Sequence, residues 1–194
     1  MVAEPQSRRL SPQEYLDWEA TQDIKHEYLD GEAFAMTGGT IAHNLISGNF
    51  YALLKSHLRG KGCRVFISDV KVQVSERGAY FYPDVMVSCD ERDRPAVNLI
   101  QHPCLIIEVL SPTTEAFDRG EKFRRYRQLS SLQEYVLIDT SSISVDRFRR
   151  LSETQWELQS FTAEDTLELT SIDWYGAIAL LYEDVIFESI LPSN

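Results

Sequence analysis

The sequence predicts a mixed α/β fold in which a mixed β-sheet is flanked by helices on both faces. Three observations carry that prediction. Between residues 41 and 58, Leu45, Ile46, Phe50, Leu53, Leu54 and Leu58 recur close to the 3.6-residue period of a core helix. The run CLIIEVLSPTTEAFDRGEKFRRYRQLSSLQEYVLID, residues 104–139, reads as an apolar strand, a loop, a basic amphipathic helix and a second apolar strand. After it, SVDRFRRL and QWELQSF alternate as two strands of an antiparallel extension. At 194 residues the chain suits one domain, 1–194, large enough to bury a core without staples.

Residues 1–10 read as a flexible arm. Ser11-Pro12-Gln13-Glu14 matches a capping box with proline at the first helical position and predicts a short helix to about Ala20. In HEYLDGEAFAM, Asp30-Gly31 separates two short runs, which is a hairpin signal. Gly38-Gly39 precedes the core helix as a turn and Gly60-Lys61-Gly62 ends it. Cys63–Val74 and Tyr80–Ser88 are then expected as strands joined by a turn at Ser75–Gly78, with Asp84 inside the second. Residues 90–103 read as a surface loop, and Asp173–Tyr182 resembles a last short helix before a poorly patterned tail at 186–194.

Composition narrows the function classes. The formal charge of −11 opposes loose bulk binding to nucleic acid, so a polyanion partner must be met locally, by a basic patch or a metal ion. No run of about 20 apolar residues offers a membrane span, and the arginines of MVAEPQSRRL precede no apolar segment of a signal peptide. A cytoplasmic location is expected. Cys63, Cys89 and Cys104 form no close pair and are expected as reduced thiols. The four histidines show no zinc-ligand spacing.

Two carboxylates stand where folding alone would not ask for them. Glu108 lies among Leu105, Ile106, Ile107 and Val109, and burying an unpaired carboxylate there costs several kcal/mol. If the strands holding Asp84 and Glu108 are neighbours, alternation lets the two converge as hard oxygen ligands for Mg²⁺ or Mn²⁺. The basic helix offers Lys122, beside the stripe Phe123, Tyr126 and Leu129, as an ammonium leaning toward them. The competing structural readings are carboxylates paired with arginines, a solvated basic helix face, and Glu27 paired across its hairpin. Asp118 reads best as the helix N-cap, Tyr126 as packing, and His43 as a first-turn helix residue.

Pro83-Asp84 followed by Glu108-Val109-Leu110 resembles the PD-(D/E)XK nuclease superfamily. HEYLDGE, the helix beginning near His43, YPDVMV, IIEVLSPTT, DRGEKFRRY and EYVLID are similar to the Uma-two family of restriction-endonuclease-like proteins, over roughly residues 10–185. That resemblance implies a restriction-endonuclease-like core, a Mg²⁺- or Mn²⁺-dependent nuclease acting on DNA, and a homodimer. It makes Asp84 and Glu108 metal ligands, with the backbone carbonyl of Val109 as a further one, Lys122 the catalytic lysine and Glu27 an acidic group completing the site. The superfamily's lysine, two residues after the glutamate, is Leu110 here. That departure is why Lys122 is assigned the role, and why a non-catalytic scaffold or nucleic-acid-binding module is the alternative.

Overall fold

A computed structural model of the chain describes residues 9–36, 38–75 and 78–187. The first helix, α1 (Pro12–Glu19), has the expected capping box: the Ser11 hydroxyl accepts from the Glu14 amide and the Glu14 carboxylate accepts from the Ser11 amide. Leu10, at the end of the expected arm, is tied down, since its amide donates to the Gly31 carbonyl and its carbonyl accepts from the Tyr28 hydroxyl. Residues 1–8 of that arm lie outside the described residues. Strands β1 (His26–Leu29) and β2 (Glu32–Ala35) form the hairpin, with Asp30 and Gly31 both at positive φ as a two-residue turn requires. The core helix α2 (Ile41–His57) follows, capped by Thr40.

The two long strands expected next are each broken and shared between two sheets. Instead of one strand over 63–74 there are β3 (Arg64–Ile67) and β4 (Lys71–Ser75); instead of one over 80–88 there are β5 (Ala79–Phe81) and β6 (Val85–Ser88). Ser68 at φ +49 and the Tyr82-Pro83-Asp84 segment are the crossings, so Asp84 sits between strands, not inside one. Proline cannot donate to a ladder, which is why the strand stops there. The expected turn at Ser75–Gly78 falls partly outside the described residues. Gly78 has φ +96, and an added Cβ would lie 2.6 Å from Tyr28 and 2.9 Å from Pro12. Gly78→Ala is therefore expected to destabilise the protein by about 1–3 kcal/mol, read from a urea unfolding midpoint.

Within the 90–103 loop lies a short strand, β7 (Leu99–Ile100). After it come β8 (Leu105–Leu110), β9 (Glu134–Asp139), β10 (Val145–Arg150) and β11 (Trp156–Phe161). One sheet has the order β2-β1-β5-β4-β7 and the other β11-β10-β9-β8-β6-β3. Only β8 and β9 pair in parallel in the larger sheet, because a helical crossover joins them. That crossover is not one regular helix: a turn of α-helix, α3 (Glu115–Phe117), widens into a π-helical turn over Asp118–Lys122 and returns to α-helix, α4 (Phe123–Tyr126). Asp118 is not an N-cap, since the cap position belongs to Thr114. The helix expected over 173–182 is instead β13 (Trp174–Ala177), the second strand of a hairpin with β12 (Thr166–Leu169) joined through a 3-10 turn at Thr170–Ile172, followed by a second 3-10 segment at Ile178–Tyr182. Most of the tail, 188–194, lies outside the described residues.

The larger sheet buries both faces. Ile46, Phe50 and Leu54 of α2 pack on Val85, Val87, Leu105, Ile107 and Val109, while Met86, Ile106, Leu110 and Leu137 face Phe81, Tyr126 and Leu129 on the other side. Alternation along β8 therefore points Glu108 into the second layer, between the two sheets. Among the described residues no helix is long and apolar enough to cross a membrane.

Cys63 and Cys89 form a disulfide, contrary to the reduced thiols expected from their spacing. They are the next pair beyond Arg64↔Ser88 in the β3–β6 ladder. Sequence separation does not reveal that register.

Candidate active site

Strands β6 and β8 are neighbours, as the convergence of Asp84 and Glu108 requires. Their register pairs Val85 with Ile107 and Met86 with Ile106, so Asp84 and Glu108 occupy the next opposed positions. The Asp84 side chain continues the ladder in place of the backbone: its Oδ2 accepts the Val109 amide at 2.7 Å. His43, in the first turn of α2, brings Nε2 to 3.2 Å from the same oxygen. Among the described residues both side-chain contacts of Asp84 fall on Oδ2 and none on Oδ1.

Lys122 is buried, and its Nζ lies 2.9 Å from Glu27 Oε1, 3.2 Å from Glu108 Oε1 and 3.3 Å from Asp118 Oδ1. The π-helical turn sets Asp118 and Lys122 on the same side, and such turns are frequent at functional sites. Tyr126 donates its hydroxyl to Glu108 Oε1 at 2.9 Å, the Tyr82 amide donates to Glu27 Oε1 at 3.3 Å, and the Tyr135 hydroxyl donates to the Asp118 carbonyl at 3.0 Å. Asp118 Oδ1 is buried with no hydrogen bond; the Lys122 ammonium is its only partner among the described residues.

The charge balance is lopsided. Burial pushes the Glu108 carboxyl well above the usual range, Lys122 opposes this, and Asp118, Asp84 and Glu27 push it further up. Glu27 is raised too, by burial against the pull of Lys122. The Lys122 ammonium is itself stabilised: burial disfavours its charge, but Glu108, Glu27 and Asp118 outweigh burial and raise it well above the usual lysine range. A favoured ammonium beside disfavoured carboxylates is no contradiction. One cation keeps its own charge against three anions but cannot neutralise all of them. His43 is raised as well; burial lowers it, while the hydrogen bond and charge of Asp84 and the Val109 carbonyl raise it more.

An excess of hard carboxylate oxygens, one of them buried without a hydrogen bond, suits a hard divalent cation. Among the described residues no three His, Cys, Asp or Glu side chains already stand around a common point that could hold one. Such a site would rest on Asp84, Glu108 and the Val109 carbonyl, with water filling the remaining positions, as Mg²⁺ commonly allows.

A family model described as "Uma2: Putative restriction endonuclease" matches residues 12–177. The chain belongs to the Uma2 family. It is similar to "Uncharacterized protein slr1290" of Synechocystis sp. (strain ATCC 27184 / PCC 6803 / Kazusa), 43% identical over 179 residues that cover 92% of this chain and 94% of that protein. A second Synechocystis protein, "Uncharacterized protein sll1609", is 33% identical over 168 residues, covering 85% of this chain and 94% of its own length. Among solved structures, one described as "a putative nuclease belonging to DUF820" from Anabaena variabilis ATCC 29413 superposes with a TM-score of 0.75. It covers 91% of the Uma2 chain and 99% of its own, and at 17% identity it is a likeness of fold.

The four side chains singled out in the sequence, Glu27, Asp84, Glu108 and Lys122, thus lie in one region of the Uma2 fold. Three further groups join them that sequence reasoning misses or assigns elsewhere. Asp118 reads as a cap, although its position four residues before Lys122 on a helix is the available signal. Tyr126 reads as packing and does pack, but its hydroxyl also serves Glu108. His43 is a first-turn residue as expected, yet it faces Asp84, which no spacing in the sequence indicates.

Proposed function

We propose that this Uma2 chain is a Mg²⁺- or Mn²⁺-dependent endonuclease that hydrolyses DNA by in-line attack of water on a phosphodiester. The observation that supports it most is the meeting of Lys122 with Glu27, Glu108 and Asp118 in a water-poor cluster, with Asp84 opposite Glu108 in the β6–β8 register. Asp84 and Glu108 are the ligands we assign to the ion, with the Val109 carbonyl beside them. The bound ion would polarise the phosphoryl oxygen and lower the pKa of a coordinated water. The Lys122 ammonium, held by three carboxylates, orients that water and meets charge developing on the phosphate. Glu27 positions Lys122. Lys122 serves in place of the lysine absent at Leu110.

Lys71 is our candidate for a contact to substrate phosphate. It stands opposite Tyr82, one step beyond the Val72↔Phe81 pair, and its Nζ lies 5.4 Å from the Tyr82 ring and 6.0 Å from the Tyr15 ring. Among the described residues it makes no ion pair, and burial lowers its pKa. Lys71→Ala is expected to weaken binding of duplex DNA and to reduce the slope of log affinity against log salt by about 1, measured by fluorescence anisotropy in Ca²⁺. An unchanged slope removes Lys71 from the interface.

Supercoiled plasmid incubated with Mn²⁺ or Mg²⁺ should be nicked or linearised, and should stay supercoiled when EDTA is added. Plasmid that is bound but intact under both conditions supports the alternative, a nucleic-acid-binding scaffold, which Leu110 and the lack of a ready three-ligand cage among the described residues favour. Cutting both strands at one place calls for two sites. We assign them to a homodimer, for which sedimentation would give twice the 22.3 kDa chain mass.

A further inference from the structure

Three sulfurs lie side by side at the end of the large sheet away from the carboxylates. Cys63 precedes β3, Cys89 follows β6 and Cys104 precedes β8, so each belongs to one of three adjacent strands. Cys63 and Cys89 are bonded. On the other side of Cys89, the free thiol of Cys104 lies with its Sγ 3.8 Å from Cys89 Sγ, held there by the bond from the Cys104 amide to the Val87 carbonyl at 2.9 Å. The Cys104 thiol also points at the Val87 carbonyl, 3.4 Å away. Cys89 is exposed, and a surface cavity of about 340 Å³ opens on both Cys89 and Cys104, with Arg92, His102 and Ser131 among its walls. The cavity leaves room for the Cys104 side chain to turn and admits solvent and small thiols to the pair.

We propose that Cys63, Cys89 and Cys104 form an intramolecular thiol–disulfide exchange site, in which Cys104 attacks Cys89 and releases Cys63. The Cys104 thiol gives its proton to solvent, its sulfur forms a bond to Cys89 Sγ, the Cys63–Cys89 bond breaks, and the leaving Cys63 thiolate takes up a proton. One disulfide and one thiol stand on each side of the reaction, so no outside oxidant or reductant enters. Attack falls on Cys89 because its sulfur is the one beside Cys104. Exchange carries the crosslink one strand across the sheet, from the β3–β6 pair to the β6–β8 pair. In the second form it joins the two strands that lead to Asp84 and Glu108 at their other ends. Burial pushes the Cys104 thiol up to about 11, which keeps the attacking thiolate scarce and the exchange slow in the folded protein.

The site is tested by trapping. The folded protein, purified without reductant, is incubated with iodoacetamide for increasing times, acidified to stop exchange, and digested for non-reducing peptide mapping by mass spectrometry. Each exchange event exposes Cys63 to alkylation, so the wild type should accumulate alkylated Cys63 together with a Cys89–Cys104 linked peptide. In Cys104→Ser, alkylated Cys63 should fall at least about tenfold, since the attacking thiol is gone. A second variant, Cys63→Ser, should form the Cys89–Cys104 bond under air and show no free thiol. Label confined to Cys104 in the wild type, or two persistent free thiols in Cys63→Ser, overturns the proposal, as does finding all three cysteines reduced.

Discussion

Replacing Lys122 by methionine will destabilise the protein by about 3–5 kcal/mol near neutral pH, the range seen when one partner of a buried ion pair is removed. The side chain's length is nearly preserved, so little of the loss is a packing cavity. What remains is Glu27, Glu108 and Asp118 facing one another without a cation. The pH dependence follows from the direction of the shifts. Glu27 and Glu108 have folded pKa values above the ordinary 4.5, so the folded state binds more protons than the unfolded one, and stability falls as pH rises from about 4.5 through the folded values. Lys122 is raised in the folded state, so its contribution is fully present below the ordinary 10.5 and is lost as pH rises through the folded value. The gap between wild type and Lys122→Met should therefore be widest between those two regions and close as pH falls toward 4.5. Urea unfolding across that range, at constant m, measures it. A gap below about 1 kcal/mol at neutral pH would mean that the cluster is already neutralised by bound protons.

Asp84→Asn and Glu108→Gln will each reduce Mg²⁺- or Mn²⁺-dependent plasmid cleavage by at least about 10²-fold, since each removes a negative ligand from an electrostatic site. Their effects on stability should have opposite signs. Glu108 is buried with a raised pKa, so a neutral amide there relieves repulsion from Asp118, Asp84 and Glu27. Asp84 accepts the Val109 amide and faces His43, so the Asp84→Asn change weakens both contacts. Glu108→Gln is thus expected to lose activity while unfolding at a higher urea concentration than Asp84→Asn. This pattern separates lost chemistry from lost folding. Equal activity in wild type and both variants would remove the carboxylates from the reaction.

Much of this site is legible in the sequence because its logic is local. A glutamate inside LIIEVL has nowhere to go but a buried partner, and Lys122 beside an apolar stripe offers the cation. The core helix and the β8–crossover–β9 unit follow from periodicity for the same reason. What is not legible depends on long-range register. The pattern from Cys63 to Val74 alternates well enough for one strand, yet the chain changes sheets at Ser68, and nothing in hydrophobic alternation marks a change of sheet. The Cys63–Cys89 bond and the approach of His43 to Asp84 are likewise products of assembly. The C-terminal hairpin reads as a helix because Trp174, Ile178 and Leu181 fall at helical spacing; here they are buried from a strand and a 3-10 turn. The π-helical turn is hidden because the DRGEK segment carries ordinary helix formers around Gly120.

Joint binding of a divalent cation by Asp84 and Glu108, beside Lys122, underlies the proposed chemistry, and calorimetric titration of the folded protein with Mn²⁺ addresses it directly. Stoichiometric binding is expected, weakened at least about tenfold in both Asp84→Asn and Glu108→Gln. No binding heat in the wild type, or binding equally tight in both variants, would contradict it.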